Sequence, residues 1–397
     1  MVTTFYPPFH FGGDAIHVHR LSESLARRGH EVTVYYSPMA YHLLTKSAPP
    51  DWPADHPNVR RRPLRSRFPA LAMLASQQLG RPVYTELLDL DACGYDAIHF
   101  HNISLMGGPG ILRRGRTPRL YTAHEYWLIC PTHVLMRNGR EACNARTCLS
   151  CTLTQRRPPQ PWRLGHLVQA GMDEVDVAIA PSEFARRRHE TEGVRAPWRV
   201  LPYFVPEAHK VPSLKEARER PYFLLVGRLE YLKAIDEAIE WFRDFREADL
   251  VIVGKGAAEA ALRAQASSLA HVRFLPHKLP QELLPLYQHA LATLVPSRCY
   301  ETFGLTVAES LIAGTPVLAR RIGALTEGVE ASGGGLLFDD RAGAIEALRR
   351  LAGEPRLRAL LSESGQRYAQ QHWTEASHMN RYFGLVDEAI ANRRRRG

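Results

Sequence analysis

The sequence predicts an α/β chain of two doubly wound domains joined by a proline-rich linker. Its 397 residues suffice for two to three domains, each burying its own core. Apolar runs of strand length alternate with stretches of helical period along most of the chain. Between two such series, from Pro202 to Pro221 with Pro206 and Pro212 inside, proline density opposes both helix and strand.

The opening MVTTFYPPFHFGGDAIHVHRLSESLARRGHEVTVYYS reads as a short strand, a Gly-Gly loop, an amphipathic helix from about Asp14 to Arg28, a stop at Gly29 and a second strand. Ligands of doubly wound domains gather at the carboxyl ends of strands. There the Gly12-Gly13 turn lets backbone approach a phosphate or sugar unobstructed, although two glycines also make an ordinary turn. Proline and arginine dominate Pro49 to Pro69, which reads as irregular surface before another helix. Strand-like runs follow at Ala97–His101, Arg119–Ala123, Val177–Ala180 and Arg199–Pro202. RLYTAH closes on His124, an imidazole placed to hydrogen-bond a hydroxyl or move a proton, though a lone histidine is more often structural.

Within a loop spanning 126–160, YWLICPTHVLMRNGREACNARTCLSC carries Cys130, Cys143, Cys148 and Cys151 in the pattern C-x12-C-x4-C-x2-C. Four thiolates so spaced can close around one tetrahedral zinc, which would be structural because no coordination position stays open. An iron–sulfur site and four loosely paired thiols are the alternatives. No run approaches the roughly eighteen apolar residues that span a bilayer, and no basic-then-apolar leader opens the chain, so a cytoplasmic location is expected. Six cysteines in that reducing compartment do not read as a disulfide framework.

The second domain opens with FLLVGRLEYLKAIDEAIEWF as strand, turn and helix. Arg228 and Lys233 flank the turn. Cations near a helix start oppose its dipole and are poorly placed unless an anion is expected, and a planar fork with a point charge suits a diphosphate. DLVIVGKG and VRFLPHKLPQELLPLYQHALATLVPS repeat the alternation, with Gly254 and Gly256 allowing a tight turn. Then comes SRCYETFGLTVAESLIAGTPV, Ser297 to Val317, a loop and helix between two apolar runs. At the junction of Thr302, Phe303 and Gly304 with Leu305 and Thr306, backbone N–H groups lack intrahelical partners and favour an anion. Glu301 and Glu309 are expected at the head and body of one helix, about two turns apart on one side. Alone, that pair would be a first-turn charge and a solvated one.

The string E-x7-E inside ETFGLTVAESLIAGTPV, with VGRLEYLK upstream, resembles the retaining glycosyltransferases of family four. Their GT-B architecture is two facing Rossmann-like domains with C-terminal helices crossing back to the first. The resemblance covers nearly the whole chain. It implies an acceptor-binding domain at 1–205 that includes the cysteine loop, a linker at 206–220, a nucleotide-sugar-binding domain at 221–372, and at 373–397 a helix crossing back with a basic tail. It also implies that Glu309 holds the ribose hydroxyls and Glu301 the donor-sugar hydroxyls near the reacting carbon. Arg228, Lys233 and the amides from Phe303 to Thr306 would take the diphosphate, with Gly254 near the nucleotide and the loop around Lys278 meeting the base. His124 and the Gly12-Gly13 backbone would close the site from the other domain.

The chain departs from the family pattern in having Glu125 where Asp usually follows the histidine, and Pro276 where glycine is usual. The implied reaction moves a sugar from a nucleotide-diphosphate donor to a saccharide or lipid-linked acceptor, with retention, in polysaccharide or glycoconjugate synthesis. It requires no cofactor, the only metal expected being the structural zinc. A nucleotide-sugar 2-epimerase of the same architecture and a non-catalytic docking module are the rivals.

Net charge is +10 and the pI about 9.4, largely from arginine clustered at 60–67, 113–116, 186–188 and the C-terminus. Such clusters attract polyanions. No nucleic-acid motif or base-stacking pattern is present, so nucleic acid is not an expected partner. An anionic membrane surface is, with the protein peripheral on the inner face; plain solubility charge is the alternative.

Overall fold

The computed structural model describes residues 1–45, 48–143, 146–208 and 220–396, which fall into two units. Unit one takes in 1–138, 143–202 and the C-terminal stretch from Met379. Unit two takes in Gly139–Ala142 and Tyr203–His378. Most of the expected linker at 206–220 lies outside the described residues. The change of unit comes earlier, at Pro202, because Tyr203 and Val205 already pack with Val295, Phe303 and Trp373, and the Val205 N–H donates to the Trp373 carbonyl at 2.9 Å. The return to unit one comes at Met379 rather than 373. Trp373 belongs to the core of unit two, whereas Met379, Tyr382 and Ala389 join Val18, Leu21, Leu120 and Val177 in that of unit one.

In unit one, β1 (Val32–Tyr36) pairs in parallel with β2 (Val59–Pro63), while β3 (Ile98–Phe100), β4 (Arg119–Thr122), β5 (Val177–Ala180) and β6 (Trp198–Val200) form a parallel sheet in that order. Residues 1–4 lie between β1 and β3. The Val2 N–H donates to the His99 carbonyl at 2.9 Å and the Thr3 N–H to the Tyr35 carbonyl at 3.0 Å. The order is then β2, β1, residues 1–4, β3, which is a doubly wound sheet whose direction switches beside residues 1–4. Helix α1 (Gly13–Arg27) makes the crossing from residues 1–4 to β1, α2 (Pro38–Leu44) and α3 (Pro69–Leu79) flank β2 in the chain, and α4 (Leu167–Met172) and α5 (Glu183–Thr191) flank β5.

Strand β2 lies inside Pro49–Pro69, which the sequence presents as irregular. VRRRP shows no apolar alternation because β2 is an edge strand: Val59 alone is buried, Arg60 and Arg62 face solvent, and a terminal proline is tolerated there.

Unit two carries one parallel sheet in the order β9–β8–β7–β10–β11–β12, made of β7 (Tyr222–Val226), β8 (Asp249–Val253), β9 (Val272–Leu275), β10 (Ala292–Val295), β11 (Val317–Arg320) and β12 (Gly335–Phe338). Both faces are covered. Phe223 and Leu225 pack with Ile239 and Phe242, and their neighbours Tyr222 and Leu224 with Leu283 and Leu286, which is why these strands read as unbroken apolar runs. The winding reverses between β7 and β10. Ligands bind at such a switch, off the carboxyl ends of the strands. The residues that leave those ends lead to Arg228 and Lys233 on one side and to Glu301 on the other.

The loops after β7 and β8 touch backbone to backbone. The Gly227 N–H donates to the Val253 carbonyl at 3.1 Å and the Leu229 N–H to the Lys255 carbonyl at 3.0 Å. Gly254 has φ +153, and a Cβ there would lie 1.9 Å from the Gly227 oxygen; one on Gly256 would lie 2.4 Å from the Leu229 oxygen. The two glycines thus fix where Arg228 stands. Gly254→Ala should lower unfolding free energy by roughly 3 kcal/mol in urea titrations at an unchanged m-value. A loss below about 0.5 kcal/mol would mean that this close approach does not exist.

Candidate functional site

After β7 the chain makes the turn Gly227–Leu229 and a 3-10 turn, Tyr231–Lys233, and enters α6 (Ile235–Asp244) through Ala234 in the left-handed conformation, φ 51. After β10 it runs through Ser297 to Glu301. The Lys233 Nζ lies 2.5 Å from the Glu301 Oε1, and the Ser297 hydroxyl donates to the same oxygen at 2.9 Å. Both charged side chains are partly buried. Burial opposes the Glu301 charge, but Lys233, Ser297 and Arg228 outweigh it and hold the carboxyl below its ordinary range. Burial likewise opposes the Lys233 charge, yet Glu301 raises its pKa. Beside them burial and then Glu301 push the Cys299 thiol up to about 12, leaving it neutral.

A second set of ion pairs, which the sequence reasoning missed, holds these two loops together. Arg298 donates to Asp236 at 2.8 and 2.7 Å, to Glu237 at 2.7 Å and to the Tyr231 carbonyl at 2.7 Å, and its own N–H donates to the Leu232 carbonyl at 2.9 Å. Arg320 reaches Glu237 and, at 3.0 Å, the Pro296 carbonyl. The signal was present in the acidic pair opening IDEAIEWF, which sits in the first turn of α6 where the dipole favours it.

The two glutamates do not share a helix. Helix α7 runs Leu305–Ile312, so Glu301 lies on the loop before it and Glu309 in its body. The break is made by Gly304, the N-cap, at φ +92, where a Cβ would come 2.8 Å from Leu325. Phe303 is buried against Tyr203 and Trp373, with ring centroids 5.2 and 5.4 Å away, so only its backbone is available to a ligand. Among the described residues the N–H groups of Gly304, Leu305 and Thr306 have no partner, while that of Val307 bonds the Gly304 carbonyl at 2.9 Å. The open, positive end of α7 therefore lies four residues from Glu301. The Tyr287 hydroxyl, also missed from sequence, donates to the Glu309 Oε2 at 3.2 Å.

Arg228 is half-exposed, with Glu230 at 3.1 Å, and acts electrostatically on both Lys233 and Glu301. Lys278 stands after the edge strand β9, 3.8 Å from Glu282 and two strand spacings, about 10 Å, along the sheet edge from β7. Unit two thus brings Arg228, Lys233 and Glu301 together, sets the α7 amides a few residues further along the same loop, and leaves Lys278 to the side.

In unit one His124 is buried, its Nε2 2.8 Å from the His101 Nδ1, with the His17 ring at 5.6 Å. His99 lies 2.8 Å from the Thr122 hydroxyl and 3.1 Å from that of Tyr382. The expected lone histidine is one of a buried group, foreshadowed by the alternating histidines of IHFH at 98–101. Burial lowers His124 to about 4 against the raising effect of Asp14, and lowers His101 well below its ordinary value with help from His99, His124 and His17. Glu125 turns to His133, 2.7 Å from its Nδ1. Gly12 is extended, φ −166, a conformation open to any residue, so its backbone does not require glycine.

The cysteine loop gathers thiols without closing a cage among the described residues. Cys148 feels Cys130 and Cys143, and Arg163 lies near Cys130 and Cys148, while the Cys151 sulfur accepts from the Asn138 N–H and the Gln155 amide, each at 3.2 Å. Four thiolates on zinc stand about 3.8 Å apart, from Zn–S bonds of about 2.3 Å. Among the described residues no three of these sulfurs lie within 4.8 Å of one another. The donor set suits zinc and the spacing does not, so no step below passes through a metal. His19, Glu23 and Asp55 do come that close, but Arg61 grips Asp55 at 2.6 Å twice and the His56 N–H takes Glu23 at 2.8 Å, which makes the trio a hydrogen-bond network.

Residues 11–209 match the family profile Glycosyltransferase Family 4, and residues 207–368 match Glycosyl transferases group 1. A D-inositol 3-phosphate glycosyltransferase of Acidothermus cellulolyticus is 36% identical over 190 residues, 43% of this chain and 42% of that protein, so this match spans less than half of either. Its counterpart in Nocardia farcinica is 28% identical over 374 residues, 86% of this chain and 77% of that one. Among solved structures, sucrose-phosphate synthase of Thermosynechococcus elongatus superposes with a TM-score of 0.73 at 18% identity, covering 98% of each chain. Anabaena HepE in complex with UDP gives 0.67 at 15%, over 97% and 98%.

His124 and His189, the latter buried with its Nδ1 2.8 Å from the Ala185 carbonyl, both sit at about 4 because of burial. Below pH 6.5 the unfolded chain takes up protons that these folded imidazoles refuse, so stability falls with pH until about pH 4. Urea unfolding should lose about 2 kcal/mol per imidazole between pH 7 and pH 5. His189→Gln should flatten that slope, and an unchanged slope would show that His189 is not held neutral.

Proposed function

The chain belongs to the glycosyltransferases of Family 4, and from that premise we propose that it moves a sugar, with retention, from a nucleoside-diphosphate donor to a hydroxyl of a saccharide or lipid-linked acceptor. Its fold, two Rossmann-like units of the GT-B kind, suits such a donor. The observation that carries the reading is the switch point of unit two, where the Lys233–Glu301 pair stands beside Arg228 and the unpartnered amides of α7.

In this reading the bond from the anomeric carbon to the phosphate oxygen breaks, and the diphosphate leaves with the electron pair. Arg228 as a fork, Lys233 as a point charge that turns from Glu301, and the amides at Gly304 to Thr306 stabilise the charge that gathers there. The acceptor hydroxyl enters on the face the diphosphate leaves, and its proton passes to the departing phosphate oxygen. Glu301 holds donor-sugar hydroxyls once Lys233 turns to the diphosphate. Glu309, steadied by Tyr287, takes the ribose hydroxyls. These cations serve where a divalent ion otherwise would, so the reading calls on no metal for catalysis. A zinc on Cys130, Cys143, Cys148 and Cys151 would be structural and would require the loop to contract; elemental analysis under reducing conditions reads it directly. HepE, solved with UDP, makes UDP-sugars the first donors to try.

Lys233→Ala should still fold, with lowered stability because Glu301 is left unpaired, and should lower kcat on the order of a thousandfold, about 4 kcal/mol of transition-state stabilisation. Excess chelator should leave the wild-type rate unchanged, the product linkage should keep the donor's anomeric configuration by NMR, and donor without acceptor should give no epimerised sugar. Full activity in the Lys233 variant, or an inverted product, would remove the reading.

A further inference from the structure

Helix α3 is built inside out. Its one buried residue is Ser76, while Leu71, Leu74 and Leu79 are 63, 45 and 58% exposed and Phe68, just before it, is 69% exposed. The neighbours extend this surface. Helix α2, which packs on α3, exposes Leu44, and the 3-10 turn Pro161–Leu164, tied to α3 by the Trp162 N–H donating to the Gln77 carbonyl at 2.7 Å, exposes Leu164 at 94%. Scattered exposed leucines are ordinary; a contiguous group on three touching elements marks a contact surface.

What the surface fits is set by the charge around it. From His56 to Thr85 the sequence has six arginines and no acidic residue. Arg60 pairs with Glu31 and Arg61 with Asp55, but Arg62, Arg65, Arg67 and Arg81 are exposed and make no ion pair among the described residues. They bracket α3 on both sides. The other arginine clusters are largely answered from within: Arg186 by Glu183 and Glu190, Arg188 by Glu192, Arg114 by Asp91, Arg393 and Arg396 by Asp176. An apolar helix face flanked by uncompensated guanidinium groups supplies both signals that reversible membrane binding needs, acyl-chain contact and attraction to anionic headgroups.

We propose that α3, with α2 and the turn at Pro161–Leu164, docks unit one on an anionic lipid bilayer, the apolar side chains entering the headgroup boundary and Arg62, Arg65, Arg67 and Arg81 lying among the lipid phosphates. This deepens the lipid-linked acceptor reading, but the binding itself needs neither donor nor turnover.

The test is co-sedimentation of the full chain with vesicles of phosphatidylcholine alone and with about one third phosphatidylglycerol, at physiological and high salt. Expected are binding to the anionic vesicles only, weakening in high salt, a fall of about 30-fold in Arg65→Ala/Arg67→Ala at about 1 kcal/mol per arginine, and a fall of similar size in Leu71→Asp/Leu74→Asp. Both variants should keep the wild-type melting temperature and transfer rate on a soluble acceptor. No binding to anionic vesicles, or undiminished binding in both variants, overturns the proposal. So does a vesicle-free dimer that Leu71→Asp/Leu74→Asp dissolves, which would give the face to a second copy. Binding without any transferase activity would sink the enzyme reading and leave this one standing.

Discussion

The ion pair between Lys233 and Glu301 is the constraint from which the rest of unit two can be understood. Two opposite charges partly withdrawn from water gain little net stability, because desolvation offsets most of their attraction. Removing either partner is another matter, since it strands the other charge. Such a pair is therefore better explained by what it positions: a cation held at the mouth of a parallel sheet, at the point where the winding reverses, with its counter-charge on the opposite loop. Arg298 and Arg320, gripping Asp236 and Glu237, keep the two loops in register so that the pair can form.

The two units use different chemistry at the ends of their strands. Unit two relies on charge and on open amides, which suit an anionic leaving group. Unit one buries His17, His99, His101 and His124 as neighbouring rings, of which His101 and His124 are hydrogen-bonded to each other and kept neutral by burial. Neutral imidazoles give hydrogen bonds direction without charge. That division follows from residues each strand delivers at its end and not from the sheets, which share one winding pattern.

Much of this was legible in the sequence wherever a local pattern had a single physical meaning. Unbroken apolar runs announced a parallel sheet covered on both faces, and the sheet's switch point lies where the cations beside a helix start had been picked out. Glu301 and Glu309 were singled out by the family resemblance, and spacing put both on one helix; Gly304, by taking a left-handed turn only glycine adopts cheaply, ends the loop after Glu301. Strand β2 was missed because an edge strand of arginines carries no alternation to read. Arg298, Tyr287 and the partners of His124 were missed for a different reason. Each is defined by a contact across tens of residues, and only the fold brings those ends together.

Net charge was the least informative part of the sequence until it could be assigned to places. Most arginine clusters are spent inside the protein, pinning helices or closing the C-terminal stretch onto Asp176, and a count of them says little about partners. What discriminates is whether a cation has an answering carboxylate. Lys233 has one, close and partly buried, from which the proposed diphosphate would have to draw it. Arg62, Arg65, Arg67 and Arg81 have none among the described residues and stand in water around an apolar helix. A small anion would gain little from them, since screening at this exposure leaves each isolated attraction weak. A surface that presents many negative charges together with an apolar boundary engages all four and the leucines at once, and the argument behind the diphosphate proposed for Lys233 is the one that supports the bilayer proposed for these.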